Sequence, residues 1–292
     1  MRTLVIGARG SRLSLRQVEL VCEALRAAHP GIALDVREIH TEGDRSNAPL
    51  SQIGGTGVFT KAIEDALLAR EIDIAIHSMK DLPARVADGL TVASVPRRED
   101  VRDALVTRTG GRLESLLAGA RIGTGSERRA VMLRVMRDDI VTAEIRGNVD
   151  TRIRKVEQGE YDATVLAMAG LSRLGLSAKV AQVFEPEEML PAVGQAALAI
   201  ETRADDDEAI ESVRAIEHAE TRAAVDAERA FLERLGAGCR LPVGAWATVS
   251  NGQLWLRAMV AHDGEIRRAQ VRGAAADAVA LGVSAADAVG AA

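Results

Sequence analysis

The feature that most constrains this chain is a rhythm. Through the first 170 residues, short apolar runs of strand length alternate with segments of helical period. Residues 3–8 (TLVIGA) form such a run. After them Val18, Val21, Cys22 and Leu25 fall at i, i+3, i+4 and i+7, one apolar helical stripe. Residues 32–40 alternate as a strand, and Phe59, Ile63 and Leu67 mark a helix over 58–70. Residues 72–78 (IDIAIHS) and 90–95 (LTVASV) are further strands. A strand–helix–strand order brings the strands side by side with helices on the faces. The expected architecture is therefore α/β, with a mostly parallel sheet.

The rhythm breaks and restarts at the proline-led charged stretch 96–100 (PRRED). Beyond it, strands are expected at 104–107, 120–124, 143–146 and 162–169. Between them run helices opened by Gly-Ser-Glu-Arg-Arg and Gly-Asn-Val-Asp. Residues 191–200 read as a connector running into a strand, followed by helices near 206–218 and 220–235. The period then changes to a meander: 245–249, 254–261 and 266–273, joined by Ser-Asn-Gly-Gln and His-Asp-Gly-Glu turns, with an alanine-rich helix closing the chain. A length of 292 residues suits two or three such units.

Composition excludes several classes. At 47% hydrophobic residues the chain can offset its ordering entropy, so disorder is not expected. No apolar run reaches the ~18 residues of a membrane span, and the first residues carry no secretion signal, so a cytoplasmic location is expected. Two cysteines cannot make a disulfide framework, and five scattered histidines make a metal site improbable. A net charge of −5 argues against a nucleic-acid binder. Of the 37 basic residues only those at 61, 80, 155 and 179 are lysine, so arginine abundance by itself is no signal and a retained lysine carries more weight. Residues 54–57 (GGTG) are no dinucleotide fingerprint, and neither a phosphate loop nor a known hydrolase motif occurs.

Open α/β sheets bind ligands beyond the carboxyl ends of their strands, at helix N-termini. Five such places carry cationic or hydroxyl side chains: Arg9 with Ser11, Lys80 with Asp81, Thr124 to Arg129, Arg146 with Asn148, and Arg173. Together they suggest a cleft for a ligand of several negative charges. Asp81 is either a salt-bridge partner of Lys80 or a helix cap, or else a carboxylate that handles protons and steadies a cation. His77 is expected to pack or hydrogen-bond locally. The glycine-rich stretch 41–57 reads as a long functional loop. Cys22, on the apolar stripe, reads as buried. Cys239, flanked by glycines and Arg240, has the setting of a reactive thiol, with a partly buried structural cysteine as the alternative.

These strings together resemble the porphobilinogen deaminase family, also called hydroxymethylbilane synthases. The resemblance lies in ARGSRLSL (8–15), TEGDR (41–45), GGTGVFTK (54–61), DIAIHSMKDLP (73–83), REDVRDALV (98–106), GTGSERR (123–129), RGNVDTR (146–152), GEYDATVLAMAGLSRLG (159–175), LPAVGQ (190–195) and GAGCRLPVGA (236–245). It implies two α/β lobes like type II periplasmic binding proteins around a cleft, and a small C-terminal α+β domain with a three-stranded antiparallel sheet. The implied divisions are 1–96 with 197–214, then 102–190, then 219–292, with hinges at 97–101 and 191–196.

The resemblance also implies a dipyrromethane cofactor, attached through a thioether to Cys239. Four porphobilinogen molecules condense head to tail on it, four ammonia are released, and hydroxymethylbilane is hydrolysed off. Asp81 matches the catalytic carboxylate. Arg9, Ser11, Lys80, Thr124, Ser126, Arg128, Arg129, Arg146, Arg152 and Arg173 match positions that hold the acetate and propionate groups, with Asn148 and Gln195 helping. A monomer that meets neither nucleic acid nor membrane is implied. The chain departs from the family at Gln52 and Thr56, where basic residues are common, at Gly125, where serine is common, at Ala196, where glycine is usual, and in a short tail after 280. A non-catalytic polyanion-binding protein and an inactive family member are the alternative readings.

Overall fold

The computed structural model describes residues 2–39, 60–236, 242–262 and 265–290. The loop expected at 41–57, with Gln52 and Thr56, lies outside these residues, as do Phe59 and Cys239.

The first sheet holds β1 (Leu4–Ala8), β2 (Leu34–Glu38), β3 (Ile74–Ser78), β4 (Leu90–Ser94) and β10 (Leu198–Arg203), in the order β2-β1-β3-β10-β4. The second holds β5 (Asp103–Thr107), β6 (Arg121–Gly123), β7 (Val141–Ala143), β8 (Ala163–Ala167) and β9 (Gln182–Phe184), in the order β7-β6-β8-β5-β9. The sheets are mostly parallel, as expected, with four of the five strands in each running the same way and one reversed. In each sheet the fourth strand, β10 or β5, is antiparallel to both neighbours. Each of these is the first strand after the chain crosses between lobes. A chain entering from the cleft side runs away from it, against strands that run toward it. The strand read at 143–146 also begins earlier, so Glu144 to Arg146 lie just past its end.

Helix α1 (Arg12–Ala28) starts where Ser11 accepts a hydrogen bond from the Ser14 amide. It buries Val18, Val21, Cys22 and Leu25 against Ile6, Ile74 and Ile200. Cys22 is buried as expected, and that burial pushes its thiol pKa up. Helix α2 (Lys61–Leu68) packs Ile63 and Leu67 on the opposite face of the sheet, beside Ala75. The second lobe carries α3 (Glu127–Met136), α4 (Val149–Glu157) and α5 (Met168–Arg173). After β10 come α6 (Asp207–Arg214) and α7 (Ala219–Arg234).

In the third unit β11 (Val243–Ser250), β12 (Gln253–His262) and β13 (Glu265–Ala274) form the expected meander, covered by α7 and α8 (Ala278–Gly290). Helix α8 presses on α7 at Gly282, where a Cβ would sit 2.2 Å from the Ala227 carbonyl oxygen. Only glycine fits that crossing.

The connectors between lobes hold the structure's polar centre. Arg98 forms a bidentate pair with Glu228 of α7 at 2.6 and 3.0 Å, and its Nε donates to the Gln195 carbonyl. Glu228, fully buried, also accepts from the Gly194 and Ala247 amides. Three segments of chain are thus tied at one carboxylate. Next to this knot Ala196 takes φ +71, a left-handed conformation that a Cβ disfavours. A glycine there would carry no such strain.

Candidate active site

Strand β3 delivers its end residues into a cleft between the first and second lobes. The apolar run Ile74–Ile76 fixes the strand in the core, and Gln17 of α1 holds Ser78 through Nε2 to Oγ at 3.0 Å. The chain then tightens into a single 3-10 turn, Met79–Asp81. Met79 is buried against Gly194, whose absent Cβ would lie 2.6 Å from Met79 Cγ. With Met79 anchored, Lys80 and Asp81 project outward.

The cleft has a volume of about 550 Å3. Arg9, Ser11, Lys80 and Asp81 line it from the first lobe. Arg129, Arg146, Asn148, Arg152 and Arg173 line it from the second. Nine of the sequence-predicted residues therefore meet in one place. The cations outnumber the acids, and they crowd one another. Burial, then repulsion from Arg129, lowers Lys80 to about 8, although part of its side chain stays open to water. Burial, then Arg129 and Arg146, lowers Arg152 to about 10. Burial also lowers Arg173, which donates to the Ala196 carbonyl at 2.7 Å. Cations held below their ordinary values are a donor set short of anions.

Asp81 is the counterpoint. Among the described residues its carboxylate accepts no hydrogen bond and forms no ion pair. Its charge acts on Lys80 and Arg152 only through space. The reading of Asp81 as a salt-bridge partner of Lys80 therefore fails. Lys80 turns instead to Gln195, Nζ to Oε1 at 3.4 Å.

Four predicted residues stand outside the cleft lining. Thr124 is buried, and its hydroxyl accepts from the Ser126 amide at 3.1 Å. Ser126 caps α3 by accepting from the Arg129 amide at 3.4 Å. Arg128 lies beneath the cleft, donating to Asp103 Oδ2 at 2.7 Å and to the Leu190 carbonyl at 2.6 Å. Gln195 is fully buried and donates to Asp103 Oδ1 and the Val101 carbonyl at 2.9 and 2.7 Å. Arg129 shares this anchor. Its Nη2 donates to Asp103 Oδ1 at 2.7 Å while the residue still borders the cleft.

Asp103 is the residue the sequence reading missed. Burial alone would raise its pKa, but Arg128 and Arg129 hold its carboxyl well below the ordinary range. The available signal was an acid opening the otherwise apolar strand 103–107, hidden by the charged run before it. His77 and Glu201 form a second missed pair, described below.

A cofactor of two linked pyrroles carries four carboxylates, and this donor set fits it. Lys80, Arg129, Arg146, Arg152 and Arg173, with Ser11, would hold those groups, and the depressed cations are what its charge would relieve. Among the described residues no group of acids, cysteines and histidines could hold a metal ion. None of their helices is long and apolar enough to cross a membrane.

Two α/β lobes and, among the described residues, a cation-lined cleft holding the unpaired carboxylate of Asp81 define the class: a two-lobed α/β protein with a cationic cleft between the lobes. The particular family follows from comparison. The family described as porphobilinogen deaminase, dipyromethane cofactor binding domain, matches residues 4–211, and the porphobilinogen deaminase C-terminal domain matches 222–290. A porphobilinogen deaminase of Roseiflexus sp. (strain RS-1) is 48% identical over 288 residues, covering 98% of this chain and 95% of the relative. One from Desulforudis audaxviator (strain MP104C) is 50% identical over 286 residues, covering 97% and 93%. The chain belongs to the porphobilinogen deaminase family. It is a transferase of tetrapyrrole synthesis with a dipyrromethane cofactor and a small pyrrole substrate. Among solved structures, an arginine-specific periplasmic binding protein of Salmonella typhimurium aligns with TM-score 0.43 and 14% identity over 74% of this chain and 92% of that one. So slight a likeness adds nothing to the argument.

Proposed function

We propose that this protein joins four porphobilinogen molecules head to tail in the cleft, releases four ammonia, and hydrolyses off hydroxymethylbilane. The observation that carries the reading is Asp81, an unpaired carboxylate among crowded cations. When bound, the dipyrromethane supplies the ring carbon to which the first unit is joined. Cys239 is its attachment point in this reading, supported by the glycine-flanked setting and the family match.

The division of labour follows from charge. Each incoming unit brings an acetate and a propionate, which Arg9, Ser11, Lys80, Arg129, Arg146, Arg152 and Arg173 bind, with Asn148 at the start of α4. Loss of ammonia leaves an azafulvenium cation on the incoming unit. Asp81 holds the pyrrole N–H and stabilises that charge, inside a cleft whose other charges would repel it. Thr124, Ser126, Arg128 and Gln195 act one layer back. They cap α3, fix Asp103, and so aim Arg129.

The test is single-turnover ammonia release by protein already carrying its cofactor. Asp81→Asn keeps shape and removes charge, so the rate should fall by a factor on the order of hundreds, as for loss of one preorganised group worth ~3–4 kcal/mol. Asp81→Glu should keep part of the rate. Near-normal release by Asp81→Asn would overturn the assignment.

A further inference from the structure

Behind the cleft wall lies a buried acid–base pair that the reading above does not use. On β3, Ile74 and Ile76 face α1, so Ala75 and His77 face α2. On the antiparallel neighbour β10, Ala199 stands opposite His77 and Glu201 opposite Ala75. His77 and Glu201 therefore share one face as diagonal neighbours. His77 Nε2 lies 3.2 Å from Glu201 Oε2. Glu201 is completely buried, and neither of its oxygens has a hydrogen-bond partner among the described residues. His77 Nε2 is likewise unpartnered. A sealed carboxylate with no hydrogen bond is costly to keep. A slight turn of the imidazole, bringing Nε2–H onto Oε2, removes that cost.

Charged side chains surround the pair. Arg229 of α7 acts on Glu201 through space, with its own fork held by the Pro83 and Ala84 carbonyls at 2.9 and 2.8 Å. Glu64 of α2 faces the same spot. Burial, then the charge of Glu201, raises its pKa, while Thr60 and His77 pull it back. Glu201 is thus a buried carboxylate behind an imidazole, and the imidazole borders the cleft, as does Thr60 at the start of α2. A carboxylate that takes the proton-bearing nitrogen of a histidine orients the ring and leaves the other nitrogen as a base.

We propose that His77, oriented by Glu201, is the base that takes the ring-carbon proton in each condensation, a role resting on the function proposed above. The chemistry calls for one. The bond between the aminomethyl carbon and nitrogen breaks, and its electron pair leaves with ammonia. The terminal ring carbon of the growing chain bonds to the freed methylene. That carbon must then lose its proton, and the C–H electron pair returns to the ring. His77 Nδ1 accepts the proton while Glu201 steadies the imidazolium. The proton passes on to water before the next unit binds. Asp81 keeps its electrostatic task, so the two halves of the reaction use different groups.

The test uses cofactor-loaded protein and porphobilinogen deuterated at its free ring carbon. His77→Gln, which cannot take a proton, should slow turnover about a hundredfold, the usual worth of a general base. It should also make the deuterium isotope effect pronounced where it is small in the unaltered protein. In protein with 15N-labelled histidine, the His77 resonances, assigned by their loss in His77→Gln, should show hydrogen on Nε2. Normal turnover by His77→Gln, an unchanged isotope effect, or hydrogen found on Nδ1 instead overturns the proposal. Should His77→Gln not fold, Glu201→Gln keeps the imidazole and carries the same test. A raised isotope effect with a smaller loss of rate supports the pair, and an unchanged one refutes it. If the unaltered protein releases no ammonia from porphobilinogen, the proposed function fails and this role falls with it. If it does and only the isotope effect stays fixed, this role alone fails.

Discussion

Replacing Asp103 by asparagine should unfold this protein more readily than any single change in the cleft. The carboxylate is completely buried and accepts from Arg128, Arg129 and Gln195 at 2.7, 2.7 and 2.9 Å. The asparagine side chain would keep the shape but leave two guanidiniums without their shared counter-charge, in a site where only 4% of Arg128 is exposed. Breaking a buried ion pair from one side costs roughly 3–5 kcal/mol. That is a large part of the ~5–15 kcal/mol that holds a domain together. For a lobe of this size it should lower the melting temperature by on the order of 10 °C.

Linkage gives an independent measure of the same group. The folded-state pKa of Asp103 lies below the unfolded value, so its contribution is present above the unfolded pKa of ~3.9 and fades as pH falls through the folded one. Denaturant titrations of ligand-free protein from pH 6 down to pH 3 should therefore show a steeper loss in the unaltered protein than in Asp103→Asn. The contrast lies in the cleft. Arg152→Leu should leave stability unchanged or raise it, because Arg152 sits among repelling cations, yet it should stop elongation. A cost of under ~1 kcal/mol for Asp103→Asn, the range of an exposed pair, would refute the argument that Arg128 and Arg129 are anchored rather than free to follow ligand.

Other outcomes follow from the same geometry. Cys239→Ser should yield protein without the mass of two linked pyrroles, while Cys22→Ser, at a buried packing position, should keep the adduct, as intact mass will show. Ala196→Gly should relieve left-handed strain of about 1 kcal/mol, partly offset by the entropy of glycine, so thermal unfolding should show equal or slightly higher stability. Lys80 has a folded value of about 8 against 10.5, so between these pH values the unfolded chain binds more protons and ligand-free stability should rise with pH. Lys80→Gln should flatten that rise in denaturant titrations.

Much of this protein was legible in its sequence, because local physics wrote it there. Apolar runs of strand length, the stripe through Val18, Val21 and Leu25, and the serines that cap α1 and α3 are set by residues close in the chain. The placing of Arg9, Lys80 and Arg146 just beyond strand ends was enough to anticipate a cationic cleft, while Arg173 reaches it from the end of α5. The direction of β5 and β10 was not legible, since it depends on the side from which the chain crosses between lobes. Nor was the division of labour among look-alike arginines. Arg128 and Arg152 read the same in an arginine-rich chain. Only the packing of β5 beneath α3 shows that Asp103 occupies one and leaves the other to the cleft. Glu201 stands 124 positions after His77. Their meeting depends on which strands become neighbours and in what register, and that is fixed by burial of the whole sheet rather than by any stretch of chain.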